Sequence, residues 1–260
     1  MTEINKTLYI PLYGKSYVSK KNLFLCDKKA EEIWEKEEFP LKGKSKSKWL
    51  AYYMGVRSAV FDDWVKDVAI KNKDACIIHL GCGMDSRVIR VGNLSNIWYD
   101  VDFDEIIEER SKYFTESARY KMIKGDIRKE EWIEAISPSN SAIVIMEGVT
   151  MYLSLEEIKE VMNKLSLKFS NVMILMDCYS TFGAKMSKIK NPVKDVGVIK
   201  VYGISDPYEV ENSGFIFIKE CDMTPTKYIN ELKGFEKFIF KHLYCGKISK
   251  KIYKLYEFKK

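Results

Sequence analysis

Short apolar runs and longer amphipathic stretches alternate along most of this chain. Residues 75–80 (ACIIHL), 97–102 (IWYDVD), 120–123 (YKMI), 141–146 (SAIVIM) and 171–176 (NVMILM) are too short for a helix with its own apolar face. Their β-branched and aromatic content suits buried strands, and the continuous runs at 141–146 and 171–176 suit a parallel sheet. Between them the spacing turns helical. Residues 104–117 place Ile106, Ile107 and Phe114 inward, and Ser154 with Glu157 makes a capping box for a helix reaching about residue 168. Strands and helices alternating about every thirty residues predict a doubly wound α/β sheet.

The flanks read differently. Residues 1–72 are patterned mainly as helix and contain no repeat. Within them, 9–17 (YIPLYGKSY) is turn-rich and aromatic and predicts a lid or access segment. A charged surface helix follows at 27–39, ended with the help of Pro40, and then a solvated lysine-rich connector at 41–48. In 49–68, Leu50, Tyr53, Met54, Arg57, Val60, Phe61, Trp64 and Val68 recur at helical spacing, so this helix packs along the sheet. Arg57 lies on that apolar stripe. A buried guanidinium needs a structural acid or an anionic ligand, and the local sequence favours neither. Residues 179–207 predict a helix-and-loop insertion over the active face. A turn at 212–214 precedes an edge strand at 215–218, and the tail beyond Lys233 supplies a last strand or hairpin.

At 260 residues, with 46% hydrophobic and 31% charged positions, the chain is a folded globular protein of one structural domain. The net charge of +6 is concentrated at the end, since residues 233–260 hold 9 lysines against 2 glutamates. Twelve aromatic and aliphatic residues interleave with those lysines, from Phe235 to Phe258. This pattern fits an edge strand or helix packed on one side better than a nucleic-acid surface. None of the six cysteines has C-x-x-C spacing and there are two histidines, His79 and His242, so no metal site is expected. The amino terminus carries no signal-peptide core and no run reaches membrane-spanning length, so a cytoplasmic protein without a membrane partner is expected.

The candidate chemistry centres on 75–102. Gly81 and Gly83 permit a tight strand-to-helix turn, and Asp102 ends the next strand 21 positions after Gly81. That spacing is close to the roughly 20 expected between a nucleotide-binding turn and a ribose-binding acid. A dinucleotide fingerprint would place a third glycine where Ser86 stands, which sets an NAD-dependent oxidoreductase as the alternative. S-adenosylmethionine asks for other partners: an acid for the ribose, groups for the adenine edge, and ion-pair partners for ammonium and carboxylate. Asp102, Asp126 with Ile127, Glu147 and Arg57 form such a set. Asp126 serves equally well as a cap for the helix containing Trp132.

LGCGMDSR (80–87), WYDVDFDEIIEER (98–110), GDI (125–127) and MEGVTMYLSLEEI (146–158) resemble the leucine carboxyl methyltransferase family, including its tetracenomycin-type polyketide carboxyl O-methyltransferases. MGVRSAVFDDW (54–64) is similar to the family's amino-terminal arginine segment, and the likeness runs over roughly residues 45–180. The resemblance implies a Rossmann-like, seven-stranded class I methyltransferase sheet at 73–260, with the last strand antiparallel. A helical/loop cap and a helical segment, 1–72, would complete the active site. It further implies S-adenosylmethionine as cofactor. Arg57 would bind the methionine carboxylate, Gly81 and Gly83 the cofactor backbone, Asp102 the ribose, Asp126 and Ile127 the adenine, and Glu147 the ammonium. Tyr152 would orient the acceptor, and Asp85 with Arg87 would stabilise the turn as much as contact a ligand. Residues 191–208 carry no motif of the phosphatase-methylating branch, which points to a small-molecule acceptor.

The expected reaction is in-line O-methylation. A carboxylate acceptor is already ionised at neutral pH and needs no base; a hydroxyl acceptor needs one, and His79 and His242 are poorly placed for it. A nucleic-acid methyltransferase using the basic tail, and a non-catalytic scaffold, are the remaining readings.

Overall fold

The computed structural model describes residues 5–37, 39, 41, 43–92, 94–187 and 201–260. Three helices open the chain: α1 (Tyr9–Lys20), α2 (Lys28–Glu37) and α3 (Lys48–Lys71). The segment expected as a turn-rich lid is therefore helix. Pro11 falls in the first turn of α1, where a missing N–H costs nothing. Gly14 lets α1 lie against α3, because a Cβ there would stand 2.6 Å from Met54 Cβ. The connector at 43–46 is one turn of 3-10 helix, and the expected Pro40 stop lies outside the described residues.

The sheet then forms from β1 (Cys76–Leu80), β2 (Trp98–Asp102), β3 (Tyr120–Lys124), β4 (Ser141–Met146) and β5 (Asn171–Tyr179). Helices α4 (Arg87–Arg90), α5 (Asp104–Arg110), α6 (Glu131–Glu134), α7 (Leu155–Lys168) and α8 (Thr181–Ser187) intervene or follow. Both capping-box bonds are present at α7, where Ser154 accepts from Glu157 N and Glu157 accepts from Ser154 N. The helix expected over 104–117 stops at Arg110, although turns continue it far enough to bury Phe114. The expected insertion contains α8, and its stretch 188–200 lies outside the described residues.

After β6 (Ile216–Glu220) come α9 (Thr226–Ile229), α10 (Gly234–Tyr244), α11 (Lys247–Ile252) and β7 (Tyr253–Lys259). Strand order is β3-β2-β1-β4-β5-β7-β6. The first five strands pair in parallel, and β7 runs antiparallel to both β5 and β6. The basic tail thus supplies the last strand, but β6, not β7, forms the edge. Leu255, Tyr256 and Phe258 bury on both faces of β7 because they are flanked by strands on both sides.

Alternation along the strands divides the core. Ile77, Ile143, Ile145 and Leu175 face a layer containing α1 and α3, whereas Ile78, Leu80, Val144 and Met176 face α7. Both faces of the parallel strands are covered, as a doubly wound sheet requires. No helix among the described residues is long and apolar enough to cross a membrane.

Candidate active site

A cavity of about 1150 Å³ opens beyond the carboxyl ends of β1, β2, β4 and β5, the position where open α/β sheets take ligands. It exceeds the ~300–1,000 Å³ usual for one small molecule, leaving room for a cofactor and an acceptor together. Arg57, Gly81, Gly83, Asp102, Glu147 and Tyr152 all line it. Asp126 and Ile127 do not. Asp126 pairs with Arg128 and accepts from its backbone N–H, while the Ile127 carbonyl accepts from Trp132 Nε1.

The glycine turn has the tight backbone that the sequence predicts. Gly81 has φ +66°, and a Cβ there would come within 2.8 Å of Val149 Cγ2, so both conformation and space demand glycine. Asp102 lies across this turn. Its Oδ2 accepts from Gly83 N at 2.8 Å and its Oδ1 from Phe103 N at 2.8 Å. Burial pushes its carboxyl up to about 6, and the two backbone N–H groups only partly offset that cost.

Beside the turn, acids and bases separated by long stretches of chain converge. Arg57 donates from Nε to Glu147 Oε1 at 3.0 Å and from Nη1 to Asp177 Oδ2 at 3.1 Å. Ser58 Oγ donates to the same Glu147 oxygen, and Arg87 Nη2 donates to the other. Burial alone would raise the Glu147 carboxyl, but Arg87 and Arg57 outweigh it and hold it at about 2. Arg87 also reaches Asp62 at 2.6 Å, and Arg90 bridges Asp62, Asp85 and Asp27. Lys15 closes the chain of pairs, 2.9 Å from Asp85 Oδ2. Asp85 also accepts from Arg87 N, so the expected turn-stabilising pair is present within a larger network.

Both readings of Arg57 therefore meet at one place: it has structural acids and it faces the cavity. Asp177 is more than one partner of it. Its Oδ2 also accepts from Tyr253 OH at 2.7 Å and its Oδ1 from Gly148 N at 2.7 Å. Sequence reasoning assigned no role to Lys15, Asp62, Arg90, Asp177 or Tyr253. One signal was available, because Leu12, Lys15, Ser16 and Ser19 recur at helical spacing and are all buried. A polar stripe of that kind on a buried helix face marks groups with partners.

The remaining wall is aromatic. Tyr53 stacks on Tyr244 at 4.8 Å, and Tyr253 meets Tyr179 edge-on at 4.9 Å; all four line the cavity together with Tyr152. His79 is buried in β1, 3.5 Å from Asp100 Oδ1 and 3.4 Å from Arg87 Nη1.

Comparison with known proteins agrees with this geometry. The sequence profile of the family described as leucine carboxyl methyltransferase matches residues 11–166. The tetracenomycin polyketide synthesis O-methyltransferase TcmP of Streptomyces glaucescens is 23% identical over 243 residues, covering 92% of this chain and 90% of that protein. The S-adenosyl-L-methionine-dependent methyltransferase dpfgK of Gibberella zeae is 25% identical over 183 residues, 65% of this chain and 61% of its own. Magnesium protoporphyrin IX methyltransferase from Synechocystis, solved with S-adenosylhomocysteine, shares the fold at a TM-score of 0.52. Its identity is 11%, over 95% of this chain and 97% of that one. With more than half its length matched by the family profile and a seven-stranded sheet carrying the expected turn, this chain belongs to the leucine carboxyl methyltransferase family and is an S-adenosylmethionine-dependent methyltransferase.

Proposed function

We propose that this protein methylates a carboxylate oxygen of a small, largely apolar molecule. The observation that carries the reading is the state of the cavity's acids. Glu147 and Asp85 are held by guanidinium and ammonium groups, and Asp102 is turned onto backbone N–H donors. The chain's two histidines both border the cavity, His79 at its floor between Asp100 and Arg87, 3.5 Å and 3.4 Å away, and His242 on its exposed rim. A site so arranged suits an acceptor that arrives already ionised.

The residues fit the cofactor. Gly81 and Gly83 both take positive φ, with a Cβ at Gly81 also crowding Val149, and the Asp102 carboxylate opposite them would hold the ribose hydroxyls. Arg57 would take the methionine carboxylate while keeping Asp177, and Glu147 would then face the ammonium. Asp126 and Ile127 would meet the adenine only beyond the cavity wall, which makes theirs the assignment with least geometric support. Bound S-adenosylmethionine supplies a methyl group activated on a sulfonium. Transfer of that methyl to a carboxylate oxygen would give a methyl ester and would ask no residue of this chain to move a proton. The protein's part is positioning and exclusion of water, by Tyr152 and the tyrosine wall. TcmP, by its name, acts in polyketide synthesis, and an aromatic wall of this kind would suit a flat acid.

The test has two stages. Thermal shift with S-adenosylmethionine, S-adenosylhomocysteine, NAD and NADP should show stabilisation by the sulfur nucleotides alone. Transfer of labelled methyl to a panel of aromatic acids and phenols should then give base-labile ester. A label that survives alkali would establish a hydroxyl acceptor instead.

A further inference from the structure

Helix α10 is apolar on two faces. One is anchored: Phe240 is buried beside Tyr52, and Tyr244 stacks on Tyr53. The other carries Phe235 and Phe238, 73% and 66% exposed. Leu243 and, on α11, Ile248 add to the exposed apolar surface, as do Phe182 and Met186 on α8. These helices are continuous with one another, since Gly183 of α8 abuts the Ile252 carbonyl so closely that a Cβ would stand 2.1 Å from its oxygen. Met186, Phe238, Leu243 and Ile248 also line the cavity, so the exposed surface borders its mouth. Between residues 233 and 252 lie six lysines and one acid. That acid, Glu236, is turned away to Lys48 and Tyr52.

We propose that this face docks on an anionic lipid surface, with the cavity mouth toward the bilayer. Apolar side chains flanked by lysines are the signature of an interfacial helix, in which the rings enter the headgroup region and the ammonium groups meet lipid phosphates. Aliphatic members such as Leu243 and Ile248 do not stack on bases, and every charged cation in the segment is lysine, with no arginine fork for phosphodiester recognition. The sequence expectation of no membrane partner rested on the length needed to span, which places no limit on a helix lying in the interface. The proposal is independent of the acceptor's identity.

The test uses the full chain without cofactor, sedimented with vesicles of phosphatidylcholine alone or mixed with phosphatidylglycerol. Binding is expected to the mixed vesicles, about tenfold weaker to neutral ones, and reduced by high salt. Phe235→Asp should weaken it about tenfold, and Lys251→Glu should do so separately. Neither residue lines the cavity, so methyl transfer to a soluble acceptor should be unchanged in both. Failure to bind either vesicle overturns the proposal. So does a dimer in solution that Phe235→Asp splits, or salt-sensitive RNA binding without vesicle binding. A methyl-transfer assay that fails while vesicle binding succeeds would count against the proposed reaction alone.

Discussion

Around the glycine turn, Arg57, Glu147, Asp85 and Lys15 each hold a counter-charge, and Asp102 holds two backbone donors. Around α8, α10 and α11 the same cavity is bounded by exposed phenylalanine, leucine and isoleucine, with lysines on the same helices. The first region is fixed before any ligand arrives. Its groups are buried in pairs whose partners come from α1, α3, the segment after β1, and the ends of β4 and β5. Among the described residues, the second is tied by partly exposed pairs such as Lys250 with Asp222 and Lys48 with Glu236. Moving an apolar wall costs far less than moving a buried charge, so the two regions differ in how readily they could adapt to a ligand.

The sharpest way to break that contrast is at Arg57. Arg57→Leu leaves Glu147 with one guanidinium fewer and Asp177 with no counter-ion of its own, so a stability loss of about 3–5 kcal/mol is expected from urea denaturation. A variant as stable as the parent would show that the network is not what fixes this region. Asp102→Asn should act on binding instead. Isothermal titration should show S-adenosylmethionine affinity weaker by about 1.5–3 kcal/mol; unaltered affinity removes Asp102 from the ribose role.

The pH dependence sharpens the same point, because Asp102 and Glu147 shift in opposite directions. In the proposed ribose role only ionised Asp102 would accept both hydroxyls, and its carboxyl is raised to about 6, so cofactor affinity should fall as pH drops through about 6. For folding, the raised Asp102 stabilises the unliganded chain at low pH, an effect lost as pH rises from 3.8 through about 6. Glu147 does the reverse, contributing stability above 4.5 that is lost as pH falls toward about 2. Calorimetric binding and melting across this range check both signs, and a flat affinity profile would contradict the first. The smallest effect belongs to the permissive side: Tyr152→Phe should lower kcat about three- to tenfold with cofactor affinity unchanged, the loss of one hydrogen bond. No change with any acceptor would remove its orienting role.

Much of the cofactor half was legible in the chain. The strands at 75–80, 97–102 and 141–146, the turn glycines, the acid ending β2 and the Ser154 capping box all depend on neighbours within a few residues or on one βαβ unit. Arg57 was visible as an anomaly on an apolar stripe, but its acids lie 90 and 120 positions away, and nothing local names them. Residues 9–17 misled because proline and glycine are turn formers by propensity. Here Pro11 occupies a helix's first turn and Gly14 a helix crossing, which are tertiary circumstances. Asp126 shows the converse: an acid at the expected strand end whose side chain is taken by Arg128, two residues on.

By itself the sequence determined the alternation of strands and helices, the nucleotide-binding turn and the family, because hydrophobic period, glycine placement and motif spacing are local quantities. Only the tertiary structure decided that β7 inserts between β5 and β6, that one cluster of ion pairs ties the amino-terminal helices to the strand ends, and that α10 keeps an apolar face uncovered. Each of these depends on which distant segments meet. Chain connectivity leaves that open, and burial, pairing of charge and close packing settle it together.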